Sequence, residues 1–352
     1  MTESIVAETA TRIFADLADP QTVGRATDDA WKTQLWQALA DAGLTLAWVP
    51  EGCGGSGASL ADGFEVLGIA GRFAVAVPLA ETLLAGWLLA RAAISTPPGT
   101  MTVAPALPAD RITLNADGTL SGVAGRVPFA RDARHFAVLA GGEAGPVIAL
   151  VASGAVSLNQ GSNLAPDPIN GITFDRTDVL EMAAAPLGFD QNALMLMGST
   201  VRSVETAGAL ESILARCVQY ANERVAFERP IAKFQAVQHQ LAQLAGEVAA
   251  ALAAAGSAAD AIIRGQDFDD AMFLETTAAK IRCAEAAEKG SAIAHQIHGA
   301  IGFTKEHVLH RFTMRMLAWR DDFGNESHWA AELGKRVAAG GADEFWPFIS
   351  DR

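Results

Sequence analysis

The chain has 352 residues, of which 50% are hydrophobic and 19% are charged, and its formal net charge is -14 at pH 7. This length can bury a large core, so several packed units are expected rather than one domain. The negative charge disfavours nucleic acid as a partner, and the sequence has no basic run interleaved with aromatic residues. A polyanionic ligand would therefore have to be held by a few local cations and backbone amides.

The sequence also predicts the cellular setting. No stretch reaches the roughly 18 uninterrupted apolar residues that a membrane span requires, and the first 30 residues are acidic and polar, unlike a secretion signal. We therefore expect a cytoplasmic protein with no membrane span. Cys53, Cys217 and Cys283 are odd in number and widely spaced, which fits neither a disulfide framework nor a zinc site. We expect all three to be reduced core residues.

Apolar residues recur at helical spacing through the first hundred residues. Thr27 is predicted to cap a helix that ends at Gly43, and further periodic runs cover 60–71 and 78 to about 92. The glycine-rich segment 50–57 lacks the lysine of a phosphate-binding loop and is interpreted as a connection between helices. Residues 1–100 are therefore predicted to form an N-terminal helical domain.

The composition changes at the proline-rich segment 95–99, and from 102 to 179 short apolar runs alternate with Gly, Asp and Pro. Residues 101–187 are predicted to form a small β-barrel or β-sandwich domain. From 188 onward Ala and Leu dominate, with helices near 202–226, 235–264, 270–298 and after Asn325. Residues 188–352 are thus predicted to be a C-terminal four-helix bundle, which makes the whole chain a multi-domain α+β protein.

Three separated segments, in order, resemble the acyl-CoA dehydrogenase family. The first lies between Leu35 and Leu60 and includes Val-Pro-Glu and Gly-Gly-Ser-Gly. The second, 224–235, reads RVAFERPIAKFQ, where the family typically shows Arg-x-x-Phe-Gly-x-x-Ile-x-x-Phe-Gln. The third, 296–306, reads QIHGAIGFTKE and is similar to Gln-x-x-Gly-Gly-x-Gly-Phe followed by an acidic residue. The resemblance implies a helical, β, helical fold with a terminal bundle.

The same resemblance implies an activity, a cofactor and partners. The activity is α,β-desaturation of an acyl-CoA thioester in lipid metabolism, with hydride transfer to FAD, in a homo- or hetero-oligomer built as a dimer of dimers. An arginine fork can grip a pyrophosphate, and a glycine turn lets backbone amides approach it. The residues implied to contact FAD, held mainly by a neighbouring subunit, are Arg224, Phe227, Phe234, Gln235, Gln296, Ile297, His298, Gly299 and Ala300.

Two parts of the family's site are missing from the sequence. The loop and the Trp-x-Thr strand that cradle the flavin ring are replaced by MTVAPALPADRIT at 101–113 and GRVPFA at 125–130. The family's catalytic glutamate falls on Phe323, and the alternative glutamate position used by some members falls near Gly198. Asp322, one residue from the first position, is the remaining candidate base. The competing interpretation is that Asp321 and Asp322 form structural ion pairs with Arg315 or Arg320.

Two glycines of the family pattern are also replaced. Glu228 stands at one of them and Ala300 at the other, and a left-handed Ala300 would cost about 1 kcal/mol. The histidines His295, His298 and His307, together with His310, lack carboxylate partners at a recognisable spacing, so no metal site is expected.

Three hypotheses remain at this point. The chain could pair with a longer homologue that supplies the base and the flavin cradle, or it could be a self-sufficient homo-oligomer that uses Asp322. It could also be a non-catalytic structural partner subunit that lacks both base and cradle.

Overall fold

The computed structural model describes residues 4–265 and 268–350. Its N-terminal part is helical, with a core that includes Phe14, Leu35 and Leu83. The helices are Ile5–Leu17 (α1), Pro20–Val23 (α2), Ala30–Asp41 (α3), Leu60–Arg72 (α4) and Leu79–Arg91 (α5). The prediction that Thr27 caps a helix is wrong. The N-cap position of α3 is Asp29, two residues later, and Asp28 accepts a hydrogen bond from the Ala30 amide at 3.0 Å, which holds the preceding segment in a turn.

The middle of the chain forms one connected mixed sheet. Its strands are Met101–Ala104 (β1), Arg111–Leu114 (β2), Leu120–Pro128 (β3), His135–Gly142 (β4), Gly145–Ala152 (β5), Ser157–Asn159 (β6), Ile169–Thr177 (β7) and Glu181–Ala184 (β8). The order is β6-β7-β3-β2-β4-β5-β8, with β1 also paired to β4. Strands β1 and β2 run parallel to β4, and the other pairs are antiparallel.

Long helices dominate the C-terminal part. They are Gln191–Glu223 (α6), Gln235–Arg264 (α7), Asp270–His298 (α8), Leu309–Trp319 (α9), Glu326–Gly340 (α10) and Ala342–Ser350 (α11). A short hairpin of Val225–Ala226 (β9) and Arg229–Pro230 (β10) joins α6 to α7. The predicted fold class, helical at both ends with a β unit between, is confirmed.

Helix α6 begins at Gln191, well before the predicted 202. Asp190 caps it by accepting a hydrogen bond from the Ala193 amide at 3.0 Å. Residues 193–203 are all buried, so this segment has no solvent-facing side and gives no amphipathic signal. The helical spacing of apolar residues can be recognised only in the later part of α6, where one side of the helix faces solvent.

Helices α4 and α6 pack closely against each other because Gly208 of α6 lies on the backbone of Gly68 of α4. A Cβ on Gly208 of α6 would overlap the carbonyl oxygen of Gly68 on α4, and a Cβ on Gly71 would overlap that of Glu205. On the same stretch of α6, the charged residues Arg202 and Glu205 are buried in the protein interior, next to α5.

Helix α7 has a partly uncovered surface. Its buried side includes Leu244, Val248 and Ile262, which face the rest of the bundle. By length and composition alone this helix could also cross a membrane, and 33% of its most apolar window is buried inside the protein. Core helices of soluble proteins meet the same criterion, so the absence of a membrane span stays a prediction.

The cysteine prediction is only partly right. Cys217 and Cys283 are buried, and burial raises the pKa of each thiol to about 12. Cys53 is only half-buried, because it lies in the glycine-rich connection near the surface.

The glycine contact between α4 and α6 is testable with Gly208→Ala. We expect this variant to lower the free energy of unfolding by about 1–3 kcal/mol, because the added methyl overlaps a backbone carbonyl that cannot move alone. The matched control is Gly246→Ala on α7, where a Cβ would meet nothing within 4 Å. That control should gain about 0.5–1 kcal/mol from helix propensity. Urea unfolding followed by circular dichroism measures both, and equal stability of Gly208→Ala and wild type would contradict the assignment.

Candidate functional site

The β9–β10 hairpin presents an aromatic residue on a strained two-residue turn. Ala226 pairs with Arg229, which leaves Phe227 and Glu228 as the turn residues, with φ of 52° and 67°. Such turns favour Asn and Gly, and each non-glycine residue in this conformation costs on the order of 1 kcal/mol. Phe227 is 89% exposed, and its ring centroid lies 6.2 Å from that of Phe234.

The bend after α8 depends on a single glycine. Gly299 has φ 63° and ψ -145°, its amide donates to the His295 carbonyl, and a Cβ there would meet nothing within 4 Å. The expected penalty at Ala300 does not arise, because Ala300 has no positive φ and the left-handed turn falls on Gly299 alone. Gln296 and Ala300 are exposed beside it.

Tyr220 connects the hairpin to this bend. Its hydroxyl donates to the carbonyl oxygen of His298 at 3.2 Å, and its ring stacks on the His298 ring at a centroid distance of 4.5 Å. One turn later the Arg224 amide donates to the Tyr220 carbonyl at 2.8 Å. Arg224 and Gly299 therefore lie on the same end of the bundle, as the sequence required. We call the exposed surface formed by 224–235 and 296–300 the open face.

Two of the residues expected to touch FAD point inward instead. Ile297 is 6% exposed and His298 is 3% exposed, because both pack into the bundle. His298 Nδ1 lies 2.8 Å from the Ala294 carbonyl oxygen, and burial lowers the pKa of the imidazole. At these two positions only the backbone can contribute to the open face.

The two positions at which the family carries a base meet in space. The Phe323 ring lies directly on Gly198, where a Cβ would overlap it. Phe323 is fully buried, and its carbonyl accepts hydrogen bonds from Ser199 Oγ at 3.0 Å and from Trp329 Nε1 at 3.1 Å. An aromatic ring packed against a glycine thus occupies the space where these two positions meet.

The loop where a flavin cradle would begin is tied into the protein. The buried Asp110 carboxylate accepts the amides of Ala106, Leu107 and Gly125 at 3.0, 2.8 and 2.8 Å. Gln191 Nε2 donates to three carbonyls of the same loop at 3.1–3.3 Å. The amides of Ala106 and Leu107 in this loop are thus already used within the protein.

Beneath Phe323 lies a buried charge network centred on Arg202. Its guanidinium donates to Asp322 at 2.9 Å, to Glu205 at 2.6 Å and to Glu81. Lys280 Nζ donates to the carbonyl oxygens of Trp319 at 2.7 Å and Asp322 at 2.9 Å. This arrangement argues against the hypothesis that Asp322 is the catalytic base, because its carboxylate is 5% exposed and bound to a guanidinium.

The competing hypothesis for the aspartates named the wrong arginines. Asp321 lies 3.8 Å from Arg126, and Asp322 pairs with Arg202. Arg315 instead makes a bidentate pair with Asp167 at 2.7 and 2.8 Å, and Arg320 bonds Glu326. Asp321 and Asp322 therefore lie closest to arginines from distant parts of the sequence and not to Arg315 or Arg320.

Sequence analysis missed Arg202, Glu81 and Glu205. A usable signal existed, since each is an ionisable residue within a strongly apolar stretch, and such residues are rarely buried unless paired. Among the residues that the structure describes, no group of three His, Cys, Asp or Glu side chains is arranged to hold a metal ion.

The network contains three carboxylates, Glu81, Glu205 and Asp322, but only two cations, Arg202 and Lys280. This excess of negative charge favours the protonated form of one carboxylate. Burial raises the pKa of Glu205 to about 7, against the opposing effect of Arg202, and burial also raises the pKa of Glu81. Burial lowers the pKa of Lys280 to about 8. The network is therefore sensitive to pH near neutrality.

The Glu205→Gln variant tests this conclusion. The folded pKa of Glu205 exceeds its ordinary value of 4.5, so the folded state holds a proton that the unfolded state has lost. Stability should then fall as pH rises from about 4.5 to about 7. Glu205→Gln should flatten this decline and exceed wild type above pH 7 by on the order of 1–3 kcal/mol.

The measurement is urea unfolding between pH 5 and 8. Asp321→Asn is the matched control, since its side chain is 56% exposed and lies outside the network. An unchanged slope in Glu205→Gln would show that Glu205 is already ionised at pH 5.

Comparisons with known proteins agree with this geometry. The family model described as "Acyl-CoA dehydrogenase, C-terminal domain" matches residues 191–326. The chain is 27% identical over 311 residues to acyl-CoA dehydrogenase IpdE2 of Mycobacterium tuberculosis, covering 88% of each chain.

Two solved structures share the fold over nearly the whole length. One, from the ChsE4-ChsE5 complex of Mycobacterium tuberculosis, has a TM-score of 0.82 at 22% identity and covers 97% of this chain and 99% of that one. The other, from the Tcur3481-Tcur3483 steroid ACAD G363A variant, has a TM-score of 0.80 at 26% identity and covers 95% and 97%. The family model over the C-terminal part, the curated relative and the shared fold together indicate the acyl-CoA dehydrogenase family.

Proposed function

We propose that this chain is the subunit of a hetero-oligomeric FAD-dependent acyl-CoA dehydrogenase that carries neither the catalytic base nor the flavin-ring cradle. It lends its open face to the adenosine and pyrophosphate half of a flavin held mainly by a longer partner of the same family. The observation that carries this proposal is the packing of Phe323 on Gly198, which fills both base positions, while Arg224 and Gly299 stay open to solvent.

The open face has the chemistry that a dinucleotide needs. The side chains of Arg224, Gln235 and Gln296 are exposed and make no hydrogen bond to another residue that the structure describes. A free guanidinium suits a pyrophosphate, amide side chains suit ribose or adenine, and the exposed ring of Phe227 can stack. Gly299 lets a ligand approach the backbone of this bend with no side chain in the way. In a chain of net charge -14, these local groups are what a polyanion would contact.

The interior of the chain supports assigning the base to a partner. FAD supplies the hydride acceptor of the reaction, and a carboxylate must remove the α-proton of the thioester. Here the carboxylate nearest the expected position, Asp322, is bound to Arg202, and the loop 105–110 is held by Asp110, Gln191 and the Phe323 amide, which donates to Ala106 at 3.1 Å. The role left for this chain is to bind and orient the nucleotide end of the cofactor.

The structural relatives favour a two-chain assembly. Both solved structures named above are described by two different chains, ChsE4 with ChsE5 and Tcur3481 with Tcur3483, and the latter is described as a steroid enzyme. A steroid-derived acyl-CoA thioester is therefore the first substrate to assay. A purely structural partner that touches no cofactor would have no use for an unpaired Arg224, which argues against that alternative.

Cofactor retention gives the decisive experiment. Purified alone, the chain should be colourless and inactive; co-expressed with a base-carrying acyl-CoA dehydrogenase chain, the complex should retain FAD. Arg224→Ala should weaken FAD retention by about ten- to a hundredfold, since a charge-assisted hydrogen bond contributes about 1.5–3 kcal/mol. Flavin absorbance after gel filtration measures the retained fraction.

The matched control is Arg264→Ala, an exposed arginine at the opposite end of α7. It should leave the flavin content unchanged. A yellow, active protein obtained from this chain alone would overturn the proposal and favour a self-sufficient homo-oligomer. Unchanged FAD retention in the Arg224→Ala complex would favour the purely structural alternative.

A further inference from the structure

A second cavity lies away from the open face and from the filled catalytic position. It has a volume of about 440 Å³, is open to solvent on one side and is lined by segments of all three parts of the chain. The helical N-terminal part contributes 23–32 and Ala76, the β unit contributes 165–167, and the bundle contributes Lys305 and residues of α9. This volume is within the range of small-molecule sites, which often form where domains meet.

The cavity contains an arginine without an acceptor. Arg311 is half-buried, makes no salt bridge or side-chain hydrogen bond with any residue that the structure describes, and its Nε is shielded from solvent without a partner. Burial and the neighbouring Arg315 lower the pKa of Arg311 to about 10, against the opposing effect of Asp167 and Asp29, which form their salt bridges with Arg315 and Lys32. A shielded cation next to a second cation is costly unless an anion joins it.

The other charged residues that the structure describes in this cavity form no salt bridge with Arg311. Lys32 is paired with Asp29 at 2.9 Å, and Arg315 is paired with Asp167. Lys305 is exposed and has no ion-pair partner among the described residues. Asp28, which accepts the Ala30 amide at 3.0 Å, is the remaining carboxylate of the described lining. A ligand with its negative charge at one end avoids Asp28, whereas an extended polyanion does not.

The rest of the cavity wall is largely apolar. Trp31 and Met314 form part of the wall, with Val23, Ala26 and Ala76 beside them. An indole ring and a thioether suit the flat or aliphatic body of a small molecule. We propose that this cavity binds a small organic anion whose single phosphate or carboxylate is held by Arg311 and Lys305, and whose apolar body packs on Trp31 and Met314.

Isothermal titration of the purified chain with phenyl phosphate, benzoate and inorganic phosphate tests the proposal. At least one of the two aromatic anions should bind with one-to-one stoichiometry and more tightly than inorganic phosphate. Arg311→Gln should weaken this binding by about ten- to a hundredfold, which corresponds to the loss of one charge-assisted hydrogen bond. Preference for phenyl phosphate or for benzoate assigns the head group, and either result supports the site.

Two further variants separate the site from general electrostatics and from folding defects. Arg12→Gln makes the same charge change at an exposed arginine of α1 and should bind like wild type. Lys305→Gln alters an exposed side chain, so it should fold normally and still bind more weakly. Absence of saturable binding to wild type, equal binding in Arg311→Gln and Arg12→Gln, or equal affinity for inorganic phosphate and the aromatic anions would overturn the proposal.

Discussion

The structure depends on the burial of Arg202. Its guanidinium joins three separate segments, since Glu81 lies on α5, Glu205 on α6 and Asp322 in the turn before α10. A charged group in the interior is tolerated only when its hydrogen-bonding capacity is satisfied, and here all three of its nitrogen atoms have carboxylate partners. The turn that carries Phe323 is consequently fixed against α6, and this fixed position decides what the family's catalytic pocket can contain.

Because that turn is fixed, the chain has a closed interior and an open end. Phe323 occupies the space over Gly198, and its backbone is hydrogen-bonded to Ala106 of the β unit and to Ser199 of α6. In contrast, the Arg224 side chain stays exposed and Gly299 leaves the backbone uncovered at the far end of the same helices. Such a division is what a subunit requires if it completes a partner's cofactor site while having none of its own.

Strain and unpaired charge occur where the proposed ligands would contact the chain. The hairpin keeps Phe227 and Glu228 in left-handed conformations that cost free energy, while the Phe227 ring stays exposed apart from its edge contact with Phe234. Arg311 is likewise a partly buried cation without an acceptor, whereas Arg315 beside it is fully paired. In an acidic protein, unpaired cations of this kind are the places where an anion can bind despite the overall charge.

The sequence by itself determined the resemblance to one family, the helical, β, helical order, the bounds of α7 and α8, and the absence of a carboxylate at 323 and 198. These features are local, because periodicity, capping residues and short motifs are encoded by neighbouring residues. Only the tertiary structure decided that Asp322 pairs with Arg202, that Phe323 packs on Gly198, and that Ile297 and His298 face inward. Each of these depends on residues up to 125 positions apart in the sequence, and no local pattern specifies which distant partner a buried charge or ring will meet.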